Sequence, residues 1–290
     1  MIVQKILFLS MSLLCALQPL QAMPLAEDFK HVGYREICDK KQTAATFDFL
    51  YACFDELIDF FQTNPTWAQK LYHAKERFIR SKERGYYSTD FFGFYDESAV
   101  PGRSQISFYY SIHFHEFICT YYPELNDIPE ISYFLALCRE IQNSYAHVFS
   151  EAATALDLES LLSWECANPP ILLKVIKYLP SYMATKPHYD GTAFSLFLDS
   201  TDNESLLLSA YKSSLTPDDF SSPVKTCCQW NSRDSILLIP GVLLTEFSIY
   251  PTPHFVARSG KMRYATIAFA MRPHYTPQQK ALTPLPNVNR

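Results

Sequence analysis

Lys174-Val-Ile-Lys-Tyr-Leu-Pro180 is followed, after a short gap, by His188-Tyr-Asp-Gly-Thr-Ala-Phe-Ser-Leu-Phe197. These two stretches decide the reading of the chain. His188 and Asp190 are two apart, the spacing at which an extended backbone places side chains on one face. One rigid segment therefore offers an imidazole and a carboxylate together, with Tyr189 pointing away. His254 comes 64 residues after the Asp, and Arg263 nine residues after that. Two imidazoles and one carboxylate can hold a transition metal such as Fe(II) on one face and leave three octahedral positions open. H-x-D alone is a weak signal, and an exposed turn pair with a structural His254 is the plain alternative. Order and context weigh against it: the pair begins a β-rich run, the second His precedes Val256, and the Arg opens a strand.

Working outward, short β-rich runs fill the C-terminal half: Ile171–Tyr178, Ala193–Leu198, Ser205–Tyr211, Ser235–Ile239, Thr252–Val256 and Arg263–Ala270. Turn residues separate them, among them Asp202-Asn203, Pro217-Asp218-Asp219, Pro240-Gly241 and Ser259-Gly260. Several short strands at such spacing predict a sandwich or jelly roll. The texture changes at Asn168-Pro169-Pro170. Upstream, from Pro24 to about Asp157, the pattern is mostly helical. Phe47, Leu50, Tyr51, Phe54, Leu57, Ile58 and Phe61 recur at helical spacing, and Phe134, Leu137, Cys138, Ile141, Tyr145 and Val148 share a second helical face over about 129–156. Residues 85–105, broken by Gly85, Gly93, Pro101 and Gly102, read as loop. The expected fold class is α+β: a mostly helical part over 23–168, a β core over 169–274, and a flexible tail over 275–290 with Pro277, Pro284 and Pro286.

Residues 1–22 stand apart. Lys5 precedes the uncharged apolar run Ile6–Leu20, and Leu20-Gln21-Ala22 ends on a small residue. That is the order of a secretory signal. The run is shorter than the roughly 20 apolar residues of a membrane span. The expectation is export, periplasmic or secreted, with no stable span after leader removal; an uncleaved leader would leave the chain cytoplasmic. The seven cysteines after Ala22 include a vicinal Cys227-Cys228 but no CxxC, so no zinc signature appears. Several sit in apolar surroundings and read as small core residues. They suit a reducing compartment, which pulls against export.

Composition excludes several functions. The net charge is -5 with charges of both signs, so neither nucleic acid nor an anionic membrane is an expected partner. Only seven glycines occur, and there is no P-loop or dinucleotide fingerprint. There is no G-x-S-x-G elbow and no nucleophilic-cysteine motif. His113 and His115 have a spacing that can bind metal, but no third ligand is placed near them, which favours a structural or pocket-lining role. The abundant aromatics are read as core, with Phe91-Phe92 and Tyr109-Tyr110 as candidates for a substrate pocket.

Over Lys174–Pro273 the chain resembles the iron(II)/2-oxoglutarate-dependent dioxygenase family, in particular its isopenicillin-N-synthase-like branch. The resemblance is carried by the strand ending in Tyr178-Leu179-Pro180, by His188-Tyr-Asp-Gly-Thr-Ala-Phe-Ser-Leu-Phe197, by Ser235-Ile-Leu-Leu-Ile-Pro-Gly241 with Leu243-Leu244, by Pro253-His-Phe-Val256, and by Arg263-Tyr-Ala-Thr-Ile-Ala-Phe269. It implies a double-stranded β-helix (jelly-roll) core. It makes His188, Asp190 and His254 the iron ligands, and 2-oxoglutarate a co-substrate whose distal carboxylate pairs with Arg263. It implies oxidation of a small organic substrate by O2. The planar fork of Arg suits a carboxylate. Three places depart from the pattern: Ala265 stands where the family has Ser, Leu179 where it has Tyr, and the Asn and Asp common before the distal His are absent around Pro240-Gly241-Val242. Two other readings follow from these departures, an iron oxidase of the same fold that uses no 2-oxoglutarate and a non-catalytic binding protein that keeps the barrel.

Overall fold

In the computed structural model the described residues are 24–38, 40–84, 87, 89–100, 104–158, 170–180, 188–202, 206–208, 230–257 and 260–271. The leader, Cys166, Cys227-Cys228 and the tail lie outside them. Among the described residues no helix is long and apolar enough to cross a membrane. Cys53 and Cys138 are buried and free, and Cys38 and Cys119 are exposed and free.

Helices and an antiparallel sheet share the chain. The helices are α1 (Leu25–His31), α2 (Ala44–Thr63), α3 (Pro65–Ile79), α4 (Ile112–Tyr121), α5 (Pro123–Asn126) and α6 (Pro129–Ala155). Their starts follow local chemistry. Thr43 caps α2 by accepting from the Thr46 amide, and Ser111 caps α4 by accepting from that of Phe114. Pro65 and Pro129 open α3 and α6, where the N–H they lack would have no helical partner. The apolar faces read from the sequence are buried: Phe47, Leu50, Phe54 and Leu57 on α2, and Phe134, Cys138, Ile141 and Tyr145 on α6.

The strands are β1 (Arg35–Ile37), β2 (Gly93–Asp96), β3 (Gln105–Tyr110), β4 (Ile171–Tyr178), β5 (Phe194–Ser200), β6 (Leu206–Leu208), β7 (Ile236–Pro240), β8 (His254–Val256) and β9 (Arg263–Ala270). Seven form one sheet in the order β1-β7-β5-β9-β4-β3-β2, and β6 and β8 form a second. All the pairings are antiparallel. The sheet thus draws β1, β2 and β3 from the part that reads as helix and loop. Gly93–Asp96, expected as loop, pairs along its whole length with Phe108's strand β3. Gly93 itself has a positive φ of 74°, a conformation that suits glycine and masks the strand signal.

The two faces of the large sheet do different work. Ile106, Phe108, Leu173, Val175, Leu196, Leu238 and Ala268 face the helices and join their core. The alternate residues Ile176, Tyr178, Phe197, Leu237, Ile239 and Ile267 pack with Leu206 and Leu208 of the small sheet and with Trp230. Period-2 alternation along each strand separates the two clusters. At the helix-facing end of β5, buried Asp199 accepts from Lys40 Nζ at 2.8 Å and from the Tyr51 hydroxyl at 3.1 Å, which ties the segment before α2 to the sheet.

Candidate metal centre

His188, Asp190 and His254 converge. One donor atom from each lies within 4.8 Å of the other two. His254 Nε2 is 3.4 Å from Asp190 Oδ2, and His188 Nε2 is 3.9 Å from Asp190 Oδ1. The backbone explains the meeting of the two imidazoles. His188 and His254 form an antiparallel bridge, each amide donating to the other's carbonyl at 2.9 and 3.0 Å. Directly opposed residues put their side chains on the same face, and the two rings stand 4.5 Å apart between centroids. The H-x-D pair does not lie on a regular strand as its spacing suggests. His188 forms an isolated bridge, and the chain then bends through Gly191–Ala193 into β5.

Asp190 is held from two sides. Its carbonyl accepts from the Val242 amide at 2.9 Å, while the Gly241 and Leu243 amides donate to Ala193 and Thr192. Its carboxylate accepts from the buried Ser195 hydroxyl at 2.6 Å, and Thr192 Oγ1 lies 3.1 Å from the same hydroxyl. Burial alone would raise the Asp190 pKa. The adjacent His254 and His188, the Ser195 hydrogen bond and Lys174 outweigh that and hold it below the usual carboxylate value, so it stays an anion. His254 Nδ1 lies 3.0 Å from the Thr252 carbonyl. A carbonyl only accepts, so Nδ1 carries a proton, and this contact turns Nε2 toward Asp190. The site opens toward His188, whose side chain is 36% exposed against 4% for His254.

Arg263 lies at the start of β9 and is buried. Its guanidinium sits 4.9 Å from the Tyr178 ring centroid, donates to the Ala257 carbonyl and lies 3.4 Å from an Asp202 oxygen. Ala265 follows two residues on and lines a narrow cavity with Tyr178, Ser200 and Val256. Tyr178 is the cross-strand partner of Arg263. The aromatic ring beside Arg263 therefore comes from position 178, while Leu179, where the family pattern has its Tyr, lies past the end of β4. His113 and His115 are away from the triad: His113 Nδ1 lies 3.2 Å from the Tyr87 hydroxyl, and His115 Nδ1 lies 3.2 Å from that of Tyr110. Ser195, Thr252, Gly241 and Lys174 were not singled out in the sequence. Of these only Lys174, a charge in the apolar run of β4, carries a visible signal.

The fold is an established one. It is shared with solved dioxygenases: the dioxygenase for auxin oxidation 1 of Arabidopsis thaliana as a 2-oxoglutarate complex, at 14% identity and TM-score 0.55 over 88% of this chain and 90% of that one; the dioxygenase for auxin oxidation of rice, at 13% and 0.51 over 86% and 76%; and JOX2 in complex with 2OG, Fe and JA, at 13% and 0.51 over 85% and 70%. The resemblance read from the sequence is borne out at the level of fold. No protein-family model matches the chain, and no curated protein matches it by sequence.

Proposed function

We propose that this chain is a non-haem Fe(II)- and 2-oxoglutarate-dependent dioxygenase acting on a small organic substrate. The observation that carries the reading is the convergence of His188, Asp190 and His254, with the anion held by Ser195 and the His254 tautomer set by Thr252. The donor set fits the metal: two nitrogens and one carboxylate oxygen suit Fe(II) and leave coordination positions for other ligands. Bound there, iron with 2-oxoglutarate would supply the oxidation of a substrate by O2, with release of succinate and CO2. The residues of this chain have narrower tasks. His188 and His254 would hold the metal through Nε2, and Asp190 would balance part of its charge.

Arg263 would take the distal carboxylate of 2-oxoglutarate. Its guanidinium reaches the carbonyl of Ala257, three residues past His254, or roughly 10 Å of extended backbone from that ligand. A short dicarboxylate is of a size to share that interval with the Arg side chain. Similar folds bound to 2OG and to Fe support the choice of cofactors. The core supports the reading too. We take the two sheets, closed over one apolar cluster and joined by the His188–His254 bridge, as a double-stranded β-helix. Residues 1–22 fit an exported protein.

Ala265 and the Asp202 contact to Arg263 favour a second reading, an iron oxidase of this fold that does without 2-oxoglutarate. Anaerobic titration with Fe(II) and then 2-oxoglutarate, read by visible absorption, tests both. A charge-transfer band that needs both additions supports the dioxygenase. Iron uptake with no such band, and no succinate formed in air, supports the oxidase. Absence of iron uptake returns the chain to a non-catalytic binding protein.

A further inference from the structure

We propose that Lys174 is a substrate-binding residue whose ammonium group receives the carboxylate of an arylalkanoic acid, with the Phe91–Tyr109 pair forming the wall that the ring of that acid lies against. The placement of Lys174 carries this. It lies in β4 between Leu173 and Val175, which face the helices, and so projects to the other face with Ile176 and Tyr178. A charge on that face, beside Ile176 and Tyr178, needs a partner, whereas Lys177 on the opposite face pairs with Asp55. Its neighbours are Tyr109, Tyr178 and Asp190. Burial would lower its pKa, but these three groups raise it on balance and keep it charged. Asp190 is the only carboxylate among them. Once Asp190 is shared with a dication, Lys174 is left half-buried beside net positive charge, which is a setting for an anion.

The aromatic wall is contiguous with the ammonium. Lys174 Nζ is 5.0 Å from the Tyr109 ring centroid, and Tyr109 is its cross-strand partner. The Phe91 ring stacks on Tyr109 at 5.3 Å and 26°, and Tyr95 meets Tyr109 edge-on at 5.4 Å. Phe91 is 53% exposed, an unusual position for a large apolar side chain that stacks on a half-buried ring. Phe91, Tyr109 and Lys174 thus form a contiguous series from the surface inward, and the charge at its inner end acts on Asp190. A flat apolar body with a terminal carboxylate matches that series in shape and charge.

Arg263 is a separate cation. It is opposite Tyr178, four residues or about 13 Å along β4 from Lys174. The inference rests on the metal-centre reading for the positive charge beside Lys174, and on the dioxygenase reading for the chemistry that follows binding. Calorimetric titration of the Zn(II)-loaded protein with 3-phenylpropionate and with 3-phenylpropionamide tests it. The acid should bind about tenfold or more tighter than the amide, the scale of one charge-assisted hydrogen bond. Lys174→Met should remove that preference and Lys174→Arg, which keeps the charge, should restore most of it. Acetylation of Lys174 by acetic anhydride, mapped by mass spectrometry, should be slowed by the acid and not by the amide. Equal binding of acid and amide, no binding of either at millimolar concentration, or retention of the preference in Lys174→Met overturns the proposal. So does a loss confined to 2-oxoglutarate affinity, which would make Lys174 a co-substrate residue. If the acid preference needs Lys174 and the bound metal but 2-oxoglutarate is not taken up, the pocket stands and the dioxygenase reading falls.

Discussion

Gly241→Ala tests how the carboxylate ligand is held in place. A Cβ at position 241 would lie 2.1 Å from the Thr192 carbonyl oxygen and 2.7 Å from the Thr192 carbonyl carbon. Real Cβ contacts essentially never fall below 3.0 Å, so something must move by about 0.9 Å. The obstacle is backbone, and backbone on both sides is pinned. Gly241 donates to Ala193 at 2.8 Å, Val242 to Asp190 at 2.9 Å and Leu243 to Thr192 at 3.1 Å. The shift therefore passes along the chain to Asp190. Metal–ligand distances tolerate only about 0.2 Å of error. Overpacking of this kind costs about 1–3 kcal/mol of stability, and disturbed support of a ligand lowers metal affinity by about 10–100-fold. Gly191 gives the contrast. It adjoins Asp190 in sequence, yet a Cβ there meets nothing within 4 Å. Gly191→Ala should change stability by no more than about 0.5 kcal/mol and leave metal affinity near wild type. Urea denaturation of the apo-protein and Co(II) titration by visible absorption measure the two effects. Wild-type Co(II) affinity in Gly241→Ala, with an unchanged unfolding midpoint, would refute the reasoning.

Four other outcomes are expected. Ser195→Ala removes the hydroxyl 2.6 Å from Asp190 and should weaken metal binding by about 10–100-fold with little change in fold, seen as a shifted Co(II) titration beside an unchanged far-UV spectrum. Arg263→Lys keeps charge but loses the bidentate fork, so the apparent KM for 2-oxoglutarate should rise while iron uptake holds, whereas Asp190→Ala should lose both iron and turnover at any co-substrate concentration. Lys40→Met leaves Asp199 buried without its ammonium partner and should cost about 3–5 kcal/mol in urea unfolding; an unchanged midpoint would show that the pair is dispensable. His115 is held at a pKa of about 4, first by burial and then by the Arg139 charge, against an ordinary value of 6.5. The unfolded chain binds that proton more readily, so stability falls as pH drops from about 6.5 toward 4, by on the order of 2 kcal/mol. His115→Gln should flatten that part of the pH–stability curve.

Legibility in the sequence followed the strength of each local signal. Ile171–Tyr178 and Arg263–Ala270 match β4 and β9 to the residue, because each is a run of β-formers bounded by turn residues. The buried faces of α2 and α6 were equally plain in their helical spacing. Arg35–Ile37 carries no comparable signal, since three residues show no period and pairing with β7 alone makes it a strand. In the site, the three metal-ligand candidates stood out because His and Asp are chemically distinctive. The parts that position them did not. Ser195, Thr192 and Thr252 look like ordinary strand and loop hydroxyls until the fold brings them to Asp190, Ser195 and His254. Gly241 shows its necessity only through the Thr192 carbonyl, 49 residues away in sequence. Tyr178 carries no mark of its own in the sequence; the register with β9 sets it beside Arg263.

The rung that joins His188 to His254 has a consequence for folding. Its two ends are 66 residues apart in sequence, and each contributes a ligand candidate. A metal bound by both would clip shut a loop of that length, as a cross-link does. On the chain-entropy account, closing such a loop withholds roughly 4 kcal/mol of freedom from the unfolded ensemble. The rung also fixes alignment, because a slip of one residue would turn one imidazole to the opposite side of the sheet. An ion caught there would therefore reward the correct strand pairing over its neighbours, and the centre would act as a proofreading clasp for the two sheets before it takes part in any chemistry.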